Sequence, residues 1–166
     1  MKRTDAFVGY SGETTDELLL YPSAGQQDSL VRAFEEGIQR KASRRGERAL
    51  TQEEWVVLAV RALDREVNNG GYHQFFCNSS RKFAPHILQS LAHIGCRRTA
   101  TITQRAVAAL HVSVVTVARI EAIMQQTDEE RDRELDRCDQ LFYKSPQGIS
   151  TRLYAFIREK SSRIRL

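Results

Sequence analysis

Between Glu66 and Ser80 stand a carboxylate, Glu66; an imidazole, His73; four amide side chains, Asn68, Asn69, Gln74 and Asn78; and three aromatics, Tyr72, Phe75 and Phe76. A carboxylate and an imidazole facing each other across a turn are a general acid and base in outline, and Asp139 and Tyr143 could complete the set if they fold back onto it. The four amides admit two readings. Each carries both donors and an acceptor, so beside buried aromatics they must pair with backbone or with one another. Closed on itself, the cluster caps helix ends and locks a turn; left open, it is a polar pocket for a ligand or peptide around residues 66 to 78. Asn and Gly at helix ends need no functional explanation, so the residue chemistry favours the structural network. On that reading, truncating Asn68 or Asn78 to alanine should cost about 1–3 kcal/mol by orphaning buried groups.

Other constellations carry less. Of the four histidines, only His86 and His93 share a helix face, two turns apart, whereas paired helical metal ligands sit one turn apart. Cys77, Cys96 and Cys138 show no CxxC spacing and read as reduced thiols. There is no Gly-x-Ser-x-Gly elbow, phosphate loop or dinucleotide fingerprint. The expectation is therefore no catalytic set, no metal and no cofactor. Two basic segments, residues 40 to 48 and 158 to 165, could form a phosphate-binding stripe if the fold unites them, but they lack aromatics for base stacking.

The elements that must position the cluster follow from periodicity. Thr51 and Glu54 form a capping box that opens a helix with Trp55, Leu58, Ala59, Ala62, Leu63 and Val67 on its buried stripe. Glu66 lies in its last turn, where the macrodipole disfavours an anion by about 0.3–1 kcal/mol, so a specific partner is expected. Asn68-Asn69-Gly70-Gly71 then stops the helix, and one glycine should take positive φ. A short helix over 72–77 turns Tyr72, Phe75 and Phe76 inward. Pro85 opens another that runs to Gly95. Upstream, Asp28 or Ser29 caps a helix carrying Leu30, Val31, Phe34 and Ile38, whose far end dissolves into a solvated basic loop, Arg40 to Arg48. Downstream, 101 to 126 reads as helix with Val107, Leu110, Val114 and Val117 on one stripe, with a strand the alternative because HVSVVTV is rich in β-branched residues. Thr127 and Glu130 form a second capping box, and Ser145-Pro146 to Gly148 breaks the chain before the apolar helix from Ile149. The prediction is an all-α single compact domain of about six to eight helices around Trp55, Phe75 and Phe76: an arm over 1–27, a helical domain over 28–158 and a basic tail over 159–166.

The run Glu66-Val67-Asn68-Asn69-Gly70-Gly71-Tyr72-His73-Gln74-Phe75-Phe76-Cys77-Asn78-Ser79-Ser80, with Leu50-Thr51 before it and Leu91-Ala92-His93-Ile94-Gly95 after it, resembles a domain family of unknown function named after a DNA-mimic protein (DMP). Asp139 to Tyr143 and the helix from Leu153 to Ile157 are similar to that family's closing segment. The resemblance implies an all-helical, bacterial, cytosolic domain. This chain departs from the family pattern at Arg81 and Lys82, where a glycine is usual.

A namesake that imitates DNA needs a strongly negative surface, because a basic groove recognises phosphate-like charge. This chain has 25 basic and 21 acidic residues, a net charge of +4. Its acids concentrate in residues 121 to 139, eight against three arginines, with Asp128, Asp132 and Asp136 at four-residue spacing. The arginines and the helix dipole compensate them in part, so a solvated face is expected and mimicry is not. The apolar runs are too short for a membrane span, and the N-terminus lacks a signal-peptide core. The functional expectation is a cytoplasmic, noncatalytic protein-binding module, monomer or homodimer, with nucleic-acid contact weak and nonspecific.

Overall fold

The computed structural model describes residues 6–144 and 146–166. Among them are eight α-helices, short 3-10 turns and no strand: α1 Thr15–Leu19, α2 Gln27–Arg45, α3 Gln52–Cys77, α4 Ile87–His93, α5 Arg97–Ala108, α6 Val117–Met124, α7 Glu129–Tyr143 and α8 Ile149–Glu159. The all-α class and the helix number agree with the periodicity. The chain falls into two compact units, residues 1–58 with 150–166, and residues 59–149.

The first unit buries Leu18 of α1, Leu30, Val31, Phe34 and Ile38 of α2, and Leu153, Tyr154, Phe156 and Ile157 of α8. The expected capping box opens α3: Thr51 Oγ1 accepts from the Glu54 amide at 3.1 Å, and Glu54 Oε2 accepts from the Thr51 amide at 2.9 Å. Glu54 is fully buried and does more than cap. Its Oε1 also accepts from Lys41 Nζ at 2.7 Å and from the Arg165 amide at 2.9 Å. With Thr15 Oγ1 donating to the Ile164 carbonyl and Thr51 Oγ1 to that of Arg163, these bonds dock the basic tail, and Ile164 is fully buried.

Several expectations in this unit need correction. Helix α2 is preceded by Gln26, not capped by Asp28 or Ser29, and Asp28 lies in the first turn, where an acid suits the dipole. The basic cluster is not a solvated loop at its start. Arg40, Lys41, Arg44 and Arg45 are the last turns of α2, which ends at Gly46 with φ 82°. Basic side chains at a helix C-terminus offset its negative end, which is why the helix persists through them. Trp55 is only half-buried and is not a core centre.

In the second unit the fully buried aromatics are Tyr72, Phe75 and Phe76, as expected. Tyr72 and Phe76 rings lie 6.3 Å apart, Phe142 meets Tyr72 edge-on at 6.2 Å, and the Tyr72 hydroxyl pairs with Thr103 Oγ1 of α5 at 2.7 Å. Gly95 ends α4 with φ 73°. Residues 101 to 126 are not one helix: α5 stops at Ala108, His111 takes φ 50°, and Thr116 caps α6 anew. Val114 and Val117 are exposed, so the apparent stripe spans a break. The cap of α7 is Asp128 instead of Thr127, its carboxylate accepting from the Arg131 amide. In the Ser145-Pro146 break, Ser145 lies outside the described residues, while Gly148 has φ 61°.

Candidate functional site

The signature folds as a kink. Helix α3 is interrupted at Gly70, φ −160° and ψ 24°, and at Gly71, φ 74° and ψ −175°. Both glycines are required for more than backbone freedom. A Cβ on Gly71 would lie 2.0 Å from Asp139 Oδ2, and one on Gly70 would lie 2.1 Å from Gln74 Oε1. The missing side chains make room for two polar groups that close the kink.

Those groups satisfy the helix ends. Asp139, reaching across from α7, accepts the Tyr72 amide at 2.7 Å, so it acts as an N-cap supplied from another helix. Four residues on, Tyr143 donates its hydroxyl to the Val67 carbonyl at 2.6 Å, covering an orphan acceptor before the kink. Glu66 has the partners that its unfavourable position demands. Its Oε2 accepts from Gln74 Nε2 at 2.7 Å and Asn78 Nδ2 at 2.9 Å, and Arg65 Nε stands 3.8 Å from Oε1. Asn68 turns back to the Asp64 carbonyl and Oδ1, at 2.7 and 3.0 Å.

The structure therefore brings together Glu66, Gln74 and Asn78 in one network and sets Asp139 and Tyr143 against the turn. It does not sink the amides into the core: Asn68, Asn69, His73 and Asn78 are exposed. The large stability cost expected for Asn68→Ala is corrected accordingly, because that side chain is solvated and bonded only within its own helix.

One pairing was not anticipated. His73 and Cys77 lie one helical turn apart, with Cys77 Sγ 3.6 Å from His73 Nδ1. The i, i+4 spacing was the available signal. Burial pushes the Cys77 thiol above its ordinary range, against the lowering effect of Arg131 and Arg81, so it is not an activated thiolate. Burial likewise raises the Asp139 carboxyl, opposed by the bond from the Tyr72 amide. Arg81, at the position where the sequence pattern departs, donates to the Cys77 carbonyl and pairs with Glu121 at 2.8 Å. Among the described residues no group of three His, Cys, Asp or Glu side chains is arranged to hold a metal ion.

Two further acids of α7, Asp132 and Glu134, are similarly engaged. Glu134 pairs with Arg105 and, at 3.0 Å, with Arg137. Arg131, 3% exposed, binds Asp132 while donating to the carbonyls of Ile123 and Gln126. Those two bonds tie the C-terminal end of α6 to the first turn of α7.

Residues 48–160, which hold this kink and the closing helices, match the model of the DMP19-like protein family. The chain belongs to the DMP19-like family. No curated protein and no solved structure matches it. The match takes in both glycines of the kink and the residues Asp139 and Tyr143 that close it. No helix among the described residues is long and apolar enough to cross a membrane.

Proposed function

We propose that this DMP19-like chain is a noncatalytic protein-binding module of the bacterial cytoplasm. The observation that carries the reading is that the signature's reactive groups are engaged in shaping the kink. Glu66 holds two amides, Asp139 caps Tyr72, and Tyr143 is anchored on Val67. A general base must reach a substrate proton, and a carboxylate held by internal donors is poorly placed to do so. What faces solvent is Asn68, Asn69, His73 and the Tyr143 ring, 45% exposed. Such side chains, on a rigid turn, suit contact with another protein, where amphipathic aromatics lose little entropy on binding.

DNA mimicry does not follow from membership of the family. A mimic needs a strongly negative surface, whereas this chain carries a net charge of +4, and on α7 Glu134 and Asp132 are paired with arginines while Asp139 faces the kink. Any partner is thus read by the kink's shape and hydrogen bonds, with the chain acting as a monomer or homodimer.

The test compares affinity capture by the wild-type protein with capture by Asn69→Ala/His73→Ala, both residues being exposed. The reading expects a stoichiometric protein retained by the wild type, unaffected by added duplex DNA, and lost by the variant at unchanged Tm. Equal capture by both would defeat it, as would competition by DNA, which would restore mimicry.

A further inference from the structure

The two basic segments of the sequence meet in the first unit. A cleft of about 390 Å³ is lined by Arg40, Lys41, Arg44 and Arg45 of α2, by Arg165 of the C-terminal segment and by Tyr10 of the N-terminal segment. It contains five cations and no acidic side chain among its lining residues. Two of the cations are compensated from outside the lining: Arg40 by Glu36, one turn earlier on α2, and Lys41 by the buried Glu54. Arg44, Arg45 and Arg165 have no carboxylate partner among the described residues, and all three are exposed.

The cleft is built, not incidental. Gly37 carries no side chain toward it, and a Cβ there would meet the Leu166 methyl and the Tyr10 hydroxyl, each at 2.9 Å. The Arg40 guanidinium stacks 5.0 Å above the Tyr10 ring, which holds the N-terminal segment against α2. Lys41 donates to the Arg165 carbonyl at 3.0 Å, and the Arg165 amide is fixed by Glu54, so the backbone of Arg165 is held at the cleft it lines, its Nε donating to the Ser162 carbonyl at 3.4 Å. Compensation of the helix dipole explains a basic last turn of α2. It does not explain why a distant arginine is held there by two hydrogen bonds, or why the helix surface is cut down to glycine beneath Leu166 and Tyr10.

We infer that this cleft binds a small phosphorylated ligand, its phosphate taken between Arg44, Arg45 and Arg165, with the Tyr10 hydroxyl as an additional donor. Guanidinium forks match phosphate oxygens in geometry and remain charged at every physiological pH. The volume falls within the range of small-molecule sites, and the one aromatic ring of the lining has a face occupied by Arg40, which leaves little platform on which successive nucleic-acid bases could stack. A polymer is for that reason the less suitable occupant.

Isothermal titration of the full chain with inorganic pyrophosphate, at low and at moderate salt, tests the inference. Saturable one-to-one binding is expected, weakened about tenfold or more by Arg44→Ala/Arg45→Ala and about threefold or more by Arg165→Gln, since charge-assisted bidentate bonds are lost. Arg97→Ala/Arg98→Ala removes the same net charge from exposed positions of the other unit and should change affinity less than about twofold. Circular dichroism confirms that each variant is folded. Absence of saturation, or equal weakening by the two double variants, would overturn the inference. So would a single-stranded oligonucleotide that binds more tightly than pyrophosphate and resists displacement by it, because the face would then serve a polymer.

Discussion

Two interruptions lie in the second unit, and they are built differently. At Gly70 and Gly71 the chain breaks α3 and distant side chains close the break: the Tyr72 amide meets Asp139, the Val67 carbonyl meets Tyr143, and Glu66 meets Gln74 and Asn78. Between Ala108 and Val117 the chain also breaks, but with little to hold it. Val114 is 57% exposed, His111 adopts φ 50°, and the restart is held by local bonds, the Arg119 amide donating to Thr116 Oγ1 and the Arg119 guanidinium to Ser113 Oγ. A kink closed by side chains from a distant helix is a shaped surface, whereas a loosely capped connection only links helices. On the proposed reading, that difference favours the signature over the connection as the face a partner would meet.

The comparison predicts unequal sensitivities. Gly71→Ala should be the most damaging substitution, about 2–4 kcal/mol by chemical denaturation, because positive φ and collision with Asp139 act together. Its counterpart in the loose connection, Val114→Ser, should change stability by less than about 0.5 kcal/mol. Similar losses from the two would erase the distinction. Asp139→Ala should cost about 1–2 kcal/mol through loss of the cap on Tyr72, while Asp139→Asn keeps an acceptor and should be much milder.

The last pair also has a pH signature. Burial raises the folded-state pKa of Asp139 above its unfolded value, so the native state binds the proton more tightly than the unfolded chain does. The resulting penalty is fully present above the folded pKa and fades as pH falls through it toward the unfolded value. Stability of the wild type relative to Asp139→Asn should therefore improve as pH drops from 7 toward 4. A constant difference across that interval would contradict the assignment. At the small end of the scale, Asn68→Ala should cost about 0.5 kcal/mol or less, its bonds being exposed and local.

How far these features were legible follows from their range in sequence. The kink, its left-handed glycine and the inward Tyr72, Phe75 and Phe76 are local consequences of Asn-Asn-Gly-Gly and helical spacing, and all could be read directly. Glu66's need for a partner was also local, because the dipole imposes it at a helix end. The identity of that partner was open, since Gln74 lies beyond the glycines and meets Glu66 only through the angle they set. Exposure of the amides was not legible: aromatics at 72, 75 and 76 imply burial nearby, but whether Asn68 and Asn78 share it depends on packing. The break at residues 109 to 116 was hidden by its own composition, since Val107, Leu110, Val114 and Val117 keep helical spacing across a segment that is not helical. Within the basic cluster, charge alone suggested a loop, and only the fold shows a helix end joined by Arg165.

The central claim is that Glu66 serves the kink and is not held in reserve for a ligand. A double-mutant cycle of Glu66→Ala and Gln74→Ala, followed by urea denaturation, addresses it most directly. The bond at 2.7 Å to a carboxyl oxygen, at a partly buried site, predicts a coupling energy of about 1 kcal/mol or more, with Glu66→Ala itself destabilising. A coupling below about 0.3 kcal/mol, together with unchanged stability of Glu66→Ala, would mean that the carboxylate is free of the scaffold. That result would contradict the account and return the signature to an open pocket.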